Sequence, residues 1–246
     1  MLTSAGIRDT HLPLNSAPPP DPAAPRDSAV ESQPRAGRGG AATLASGILF
    51  VCYANMCRSP MAEYIARDML GRQLGAPRTP IAVASAGTHA LTGHGMHPHA
   101  AEVAAGLGAD PTAFHSRRLS TDVLAEAGLV LAATRRERAA CVSLLPAAVH
   151  RTFTLRQFAR LAAAARQTSN VDGRSGGAPP SDRDAAVRLA AAVAAAARAR
   201  GRLQPVDPEE DDLADPIGQP MVAFRECAGQ IEAALAPVMR LIVACG

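Results

Sequence analysis

Between residues 52 and 60 the chain reads Cys52-Tyr53-Ala54-Asn55-Met56-Cys57-Arg58-Ser59-Pro60. A thiol, five intervening residues and then an arginine is a spacing with a chemical use. A loop of this length can turn its successive backbone N–H groups, with the first turn of a following helix, toward one point, making a concave anion site with the thiol at its base. The same positive potential stabilises a thiolate, which makes Cys52 a nucleophile near neutral pH. Arg58 offers a planar fork to two oxygens of a phosphoryl group as negative charge spreads over them. Ser59 can hydrogen-bond the sulfur and stabilise it as a leaving group, Asn55 can brace the loop, and Pro60 suits the first turn of a helix. The plainer alternative is a buried strand-end cysteine beside a solvated helix-start arginine. Spacing alone does not choose between the two, but an apolar strand before the loop and Ser-Pro opening a helix after it supply the context that the chemistry needs.

The surrounding sequence provides that scaffold. Gly47-Ile48-Leu49-Phe50-Val51-Cys52 is a short apolar run of the kind that forms a strand buried on both faces. After Pro60, the residues Met61, Tyr64, Ile65 and Met69 fall on one helical stripe. Ile81 to Ser85 reads as a second strand, Gly87 to Pro98 as a Gly- and His-rich loop, and Ala100, Val103, Ala104 and Leu107 as one face of a helix. A helix around Val123-Leu124, a strand Leu129-Val130-Leu131, a helix from Arg135 to Leu145 and an extended piece near Val149 to Thr154 follow. Short buried strands alternating with helices predict an α/β fold with a mostly parallel central sheet.

The flanks read differently. Residues 1–46 crowd Pro, Ser, Ala and Gly, including Pro18-Pro19-Pro20, and carry no apolar period, which predicts a disordered tail. About residues 161–210 form an Ala/Arg-rich insertion. Gly173, Gly176, Gly177, Pro179 and Pro180 predict a loop there, and the Ala-dominated run Asp184 to Arg200 a surface helix with few large apolar anchors. Phe224, Ile231, Leu235, Val238 and Leu241 mark a last amphipathic helix. The expected organisation is a tail followed by one domain, residues 47–246, with the insertion inside it.

Composition removes whole reaction classes. The 25 basic residues are all arginine, so Schiff-base chemistry, a phosphate loop with its lysine and a Ser-x-x-Lys acylase are excluded. With no Trp and 3% aromatic residues, a base-stacking platform is not expected. A net charge of +3 is too small to argue for a polyanion. Five cysteines in a chain too long to need disulfide staples predict reduced thiols and a cytoplasmic protein. No basic start leads into an apolar run and no stretch reaches membrane-spanning length, so neither nucleic acid nor membrane is an expected partner.

Several ordered markers together resemble the low molecular weight protein tyrosine phosphatases, which share their fold with bacterial protein-arginine phosphatases and thioredoxin-linked arsenate reductases. They are Val51-Cys52 through Ser59-Pro60-Met61-Ala62-Glu63, then Ser85-Ala86-Gly87-Thr88, His115-Ser116-Arg117-Arg118-Leu119 and Asp215-Pro216. The resemblance covers about Gly47 to Arg160 and about Leu213 to the end. It implies a flavodoxin-like three-layer fold and a two-step phosphatase with a cysteinyl-phosphate intermediate. It also implies a phosphorylated protein substrate, a tyrosine kinase as counterpart, and no metal or other cofactor. Catalysis falls to Cys52, Arg58 and Asp215, and phosphate binding to Tyr53, Ala54, Asn55, Met56, Cys57 and Ser59. Asp215 would protonate the leaving oxygen and then activate water. Asp207-Pro208 is its rival, and Asp215 is preferred because Gly218 and the last helix follow it, as in the family.

Departures from the family pattern carry expectations of their own. Ala54 stands where glycine is usual, which costs energy if the backbone there needs a positive φ. Leu91 and Ile217 replace frequent aromatic residues of the pocket wall, leaving Tyr53 as a substitute ring or as a packing residue. Cys57 is either a reversible disulfide partner of Cys52 or a small packing residue, while Cys141, Cys227 and Cys245 are expected in the core. His89, His94, His97 and His99 crowd one loop without a carboxylate or cysteine at ligand spacing, which suits a substrate rim better than a metal. Met56 favours phosphotyrosine, since phosphoarginine-selective relatives typically have Thr there. Protein-arginine phosphatase is the alternative. Arsenate reduction ranks lower because only Cys141 lies mid-chain. A phosphate-binding module would need neither the nucleophile nor the acid.

Overall fold

The computed structural model describes residues 47–74, 81–169, 182–204 and 206–245. The expected tail and the Gly/Pro-rich part of the insertion, Gly173 to Pro180, lie outside them. Four parallel strands, β1 (Ile48–Cys52), β2 (Val83–Gly87), β3 (Leu129–Ala132) and β4 (Thr152–Thr154), form one sheet in the order β2-β1-β3-β4. β1 lies inside the sheet and reads as an unbroken apolar run because both its faces are covered. Ile48 and Phe50 enter one apolar cluster, Leu49 and Val51 another.

Helices cover the two faces. On the Ile48 and Phe50 side lie α1 (Arg58–Leu74), α2 (Pro98–Gly106), α5 (Leu155–Ser169), α6 (Asp182–Ala199) and α7 (Met221–Ala244). On the other lie α3 (Thr121–Glu126) and α4 (Arg135–Leu144), represented in the core by Leu124 and Cys141. Their starts are written in the sequence: Ser120 accepts from the Val123 N–H, and Thr134 from the N–H groups of Arg136 and Glu137. The result is the flavodoxin-like three-layer arrangement. In such sheets ligands bind beyond the carboxyl ends of the strands where the strand order reverses. Here that point is the end of β1, between β2 and β3, and Cys52 occupies it.

Two elements differ from the sequence expectation. α6 was expected at the surface with little to hold it, yet Ala185, Leu189, Ala192, Val193, Ala196 and Ala199 form a continuous buried stripe against the main core. Small side chains let helices approach closely, so alanine packs without supplying a large apolar period to be read. Arg188 adds a hydrogen bond to the Val243 carbonyl at 3.2 Å, and just beyond the helix the Arg200 guanidinium lies 4.5 Å from the Phe153 ring centroid. α7, for its part, is long and apolar enough to cross a membrane by length and composition, an 18-residue stretch of it having a mean hydropathy of 1.4, whereas the sequence reading expects no such stretch. Phe224, Ile231, Leu235, Val238 and Ile242 of that helix are buried in the protein's own core.

Candidate active site

The nucleophile loop is shaped by its carbonyls. Those of Cys52, Tyr53 and Met56 accept hydrogen bonds from the N–H groups of Thr88, His89 and His97 at 3.0, 2.8 and 3.0 Å, which fixes them toward the neighbouring loop. Among the described residues, the N–H groups of Ala54, Asn55, Met56 and Cys57 meet no carbonyl. Consecutive free N–H groups in a curled loop at a helix N-terminus form an anion nest. The one non-glycine residue with positive φ among the described residues is Asn55, at 54°. Ala54 needs no such conformation, so its Cβ costs nothing on that account.

Beneath the loop runs a buried polar seam. The Asn55 side-chain amide donates to the Ser59 hydroxyl at 3.0 Å and to the Ser85 hydroxyl at 2.8 Å, and its carbonyl oxygen accepts from the Arg117 backbone N–H at 2.9 Å. Asn55 is thereby held in its left-handed conformation from three sides. Ser59, accepting from Asn55, has one proton to give, and both the Cys52 sulfur at 2.9 Å and the Ala86 carbonyl at 3.4 Å lie within its reach, the sulfur being the nearer. Ser85 in turn donates to the buried Glu63 carboxylate at 2.5 Å, and Glu63 pairs with Arg67 one helical turn on. Burial pushes the Glu63 carboxyl above its ordinary range, against the opposing pull of Arg67 and Ser85. Arg117 closes the seam by donating from Nε to the Ser85 carbonyl at 2.6 Å.

Gly87 belongs to this seam by what it lacks. A Cβ there would fall 2.7 Å from the Asn55 nitrogen and the Tyr53 oxygen, and 2.9 Å from the Ala54 carbonyl carbon. The end of β2 can approach the back of the loop this closely only as glycine.

Arg58 opens α1 with its side chain almost wholly buried. It donates to Asp215 Oδ2 at 2.5 Å and to the Leu213 carbonyl at 3.1 Å, while its Nε has no partner. The buried Leu213 is held from its other side too, its N–H donating to the Ala133 carbonyl at 2.9 Å just past β3. Asp215, 41% exposed, is thus set at the mouth beside the arginine. Asp207 is exposed before the short turn Pro208–Asp211. Of the two candidate acids, it is Asp215 that pairs with Arg58.

The remaining predicted residues fall around this centre. Tyr53 is exposed and stacks on His89, with ring centroids 4.4 Å apart and planes 13° apart. Leu91 and Ile217 are exposed. Met56 packs partly buried against the core. Cys57 is buried, and that burial, with Asp215 and Cys52 adding to it, pushes its thiol up to about 12. Cys141 and Cys227 are buried core residues, whereas Cys245 is only partly covered. The histidines diverge: His97 and His99 pack on Phe224, His89 lies on Tyr53, and His94 contacts the Leu91 carbonyl. Among the described residues no three His, Cys, Asp or Glu side chains gather as metal ligands would.

Comparison with known proteins identifies the family. The family described as low molecular weight phosphotyrosine protein phosphatase matches residues 47–172. The chain belongs to this family. Similar relatives include a probable low molecular weight protein-tyrosine-phosphatase of Ralstonia nicotianae, 33% identical over 108 residues, which are 44% of this chain and 69% of that protein. A protein-arginine-phosphatase of Geobacillus stearothermophilus is 37% identical over 111 residues, 45% of this chain and 70% of that one. The low molecular weight protein tyrosine phosphatase of T. tengcongensis superposes with a TM-score of 0.53 at 23% identity, over 79% of this chain and 97% of its own. The protein is therefore a phosphatase of this family. Glu63, Ser85, Gly87 and Arg117 sit inside sequence markers of the family, but their common seam is visible only when three chain segments meet. Leu213 carries no sequence signal, since it acts through its backbone.

Proposed function

We propose that this protein hydrolyses phosphotyrosine in other proteins, with Cys52 as nucleophile. The observation that carries the reading is the loop whose Cys52, Tyr53 and Met56 carbonyls accept from the neighbouring segment, while among the described residues the N–H groups from Ala54 to Cys57 meet no carbonyl and stand as an anion nest at the loop that begins with Cys52. In the first step the Cys52 thiolate attacks phosphorus, the P–O bond to tyrosine breaks, and Asp215 gives its proton to the departing phenolic oxygen. In the second, Asp215 takes a proton from water as that water attacks the cysteinyl phosphate, and the sulfur leaves with the Ser59 hydroxyl beside it. Arg58, through its unpartnered Nε and a terminal nitrogen, would carry the phosphoryl oxygens in both steps. Met56 supports phosphotyrosine over phosphoarginine. Five free cysteines, one of them a nucleophile, fit a reducing cytoplasm, and a tyrosine kinase is the implied counterpart.

The test is steady-state hydrolysis of para-nitrophenyl phosphate and of paired phosphotyrosine and phosphoarginine peptides, with EDTA present. The expected result is preference for phosphotyrosine, activity abolished by Cys52→Ser and much reduced by Asp215→Asn. A strong preference for phosphoarginine would overturn the substrate assignment, and an inactive, folded wild type would overturn the enzyme.

A further inference from the structure

The mouth of the site carries a charge that its own carboxylates leave unbalanced. Arg136, exposed in the first turn of α4, holds its guanidinium carbon 5.9 Å from the centroid of the Tyr53 ring. The acidic side chains around it are engaged elsewhere: Asp212 with the backbone N–H and guanidinium of Arg135, Glu137 with Thr134, and Asp215 with Arg58. Among the described residues Arg136 has no ion pair. The Tyr53 ring beneath it is 42% exposed and is steadied by the stacked imidazole of His89. That histidine is itself fixed by its N–H to the Tyr53 carbonyl and by the Thr88 hydroxyl 3.0 Å from its Nδ1.

We propose that Tyr53, His89 and Arg136 form a subsite for an acidic residue flanking the phosphotyrosine, so that the preferred substrates are phosphopeptides with Asp or Glu beside the modified residue. The proposal rests on the phosphotyrosine reading above. Tyr53 directly follows the nucleophile, so a phenyl phosphate that reaches Cys52 stands beside its ring and the peptide backbone crosses the rim. Successive Cα atoms are about 3.8 Å apart, which brings a carboxylate one or two positions away within reach of the guanidinium. Arginine suits the task because its plane lies over the aromatic ring while its nitrogens present a fork to a carboxylate. Leu91 and Ile217, at 69% and 50% exposure, add apolar surface to the protein but no charge.

The experiment compares kcat/KM for two phosphotyrosine peptides that differ only in flanking Glu or Gln, at pH 7 and low salt. The wild type is expected to favour the Glu peptide about fivefold, a ratio that shrinks as ionic strength rises. Arg136→Gln brings the ratio to about one, Arg136→Glu inverts it, and Arg136→Lys retains part of it because the charge stays but the planar stacking goes. A ratio unchanged in Arg136→Glu overturns the subsite. If the wild type turns over both peptides alike, the subsite alone fails. If it ignores both peptides while hydrolysing a phosphoarginine peptide of the same flanking sequence, the phosphotyrosine reading fails and takes the subsite with it.

Discussion

The seam beneath the phosphate loop and the layer of α5, α6 and α7 are both buried, but opposite means specify them. In the seam the side chains are joined by directed hydrogen bonds between named atoms, from Cys52 through Ser59, Asn55 and Ser85 to Glu63. In the α6 stripe the contacts are those of alanine methyls with one Leu and one Val. Directed bonds tolerate almost no displacement, because a buried donor left without its acceptor costs about 1–3 kcal/mol. Apolar packing tolerates rearrangement provided volume is kept. The seam therefore sets geometry and the helical layer sets stability, and substitutions in the two should separate those quantities.

The sharpest break should come from Gly87→Ala, which drives a methyl against three backbone atoms of the loop. The expected loss is about a hundredfold or more in kcat/KM on para-nitrophenyl phosphate, since displacements near 1 Å in a catalytic array cost that much. Near-native turnover would show the loop to be more compliant than its contacts imply. Next is Asn55→Ala, expected to cost about tenfold in kcat/KM and about 1–3 kcal/mol in urea unfolding, because it strands the Arg117 N–H and puts alanine at positive φ. Asn55→Gly separates the two causes by relieving the backbone without restoring the bonds. If glycine recovers full activity, conformation rather than bonding is what Asn55 supplies.

On the other side of the comparison, Leu189→Ala should lower stability by about 2–5 kcal/mol while kcat per folded molecule holds steady. A matching fall in kcat would tie the helical layer to the site and erase the distinction. The smallest effect is expected from alkali. Burial first, then neighbouring negative charge, holds the thiols of Cys57 and Cys141 up to about 12, and burial holds that of Cys227 up to about 11 against the opposing pull of Arg58, from an unperturbed value of 9.0. Above that value the unfolded chain loses protons that the folded protein keeps, so the stability present below pH 9 declines as pH rises toward 11 and 12. The urea midpoint should drop between pH 8 and pH 10, and Cys141→Ala should flatten the drop. A midpoint that holds or climbs would contradict the assignment.

The sequence made the phosphate loop legible because its chemistry is local: strand, loop and helix start follow one another from Ile48 to Pro60. β1 and α4 could be read for the same reason, one from an unbroken apolar run and the other from Thr134 capping a helix. The second strand was displaced by two residues, Ile81 to Ser85 against Val83–Gly87, because Ile81 is buried outside the sheet while Gly87 is drawn into it by the loop. The seam was hidden, since Glu63, Ser85 and Arg117 meet only in three dimensions. α6 was misread because alanine is equally at home on a surface and in a tight helix contact. Asp215 was found through family resemblance, and no periodicity distinguishes it from Asp207.

Leu213 has a consequence for the architecture of the enzyme. Its peptide is fastened on one side to Ala133 and on the other to Arg58, so the segment bearing Asp215 is docked locally. Within the path from Thr154 to Leu213, α5 and α6 are tied into the core and α5 also holds Asp211 and Asp212 through Arg160 and Arg156, so this docking is shared between the sheet and α5. A change in the length of α5 would therefore reach the acid through the peptide that carries it, although among the described residues no α5 side chain touches Asp215.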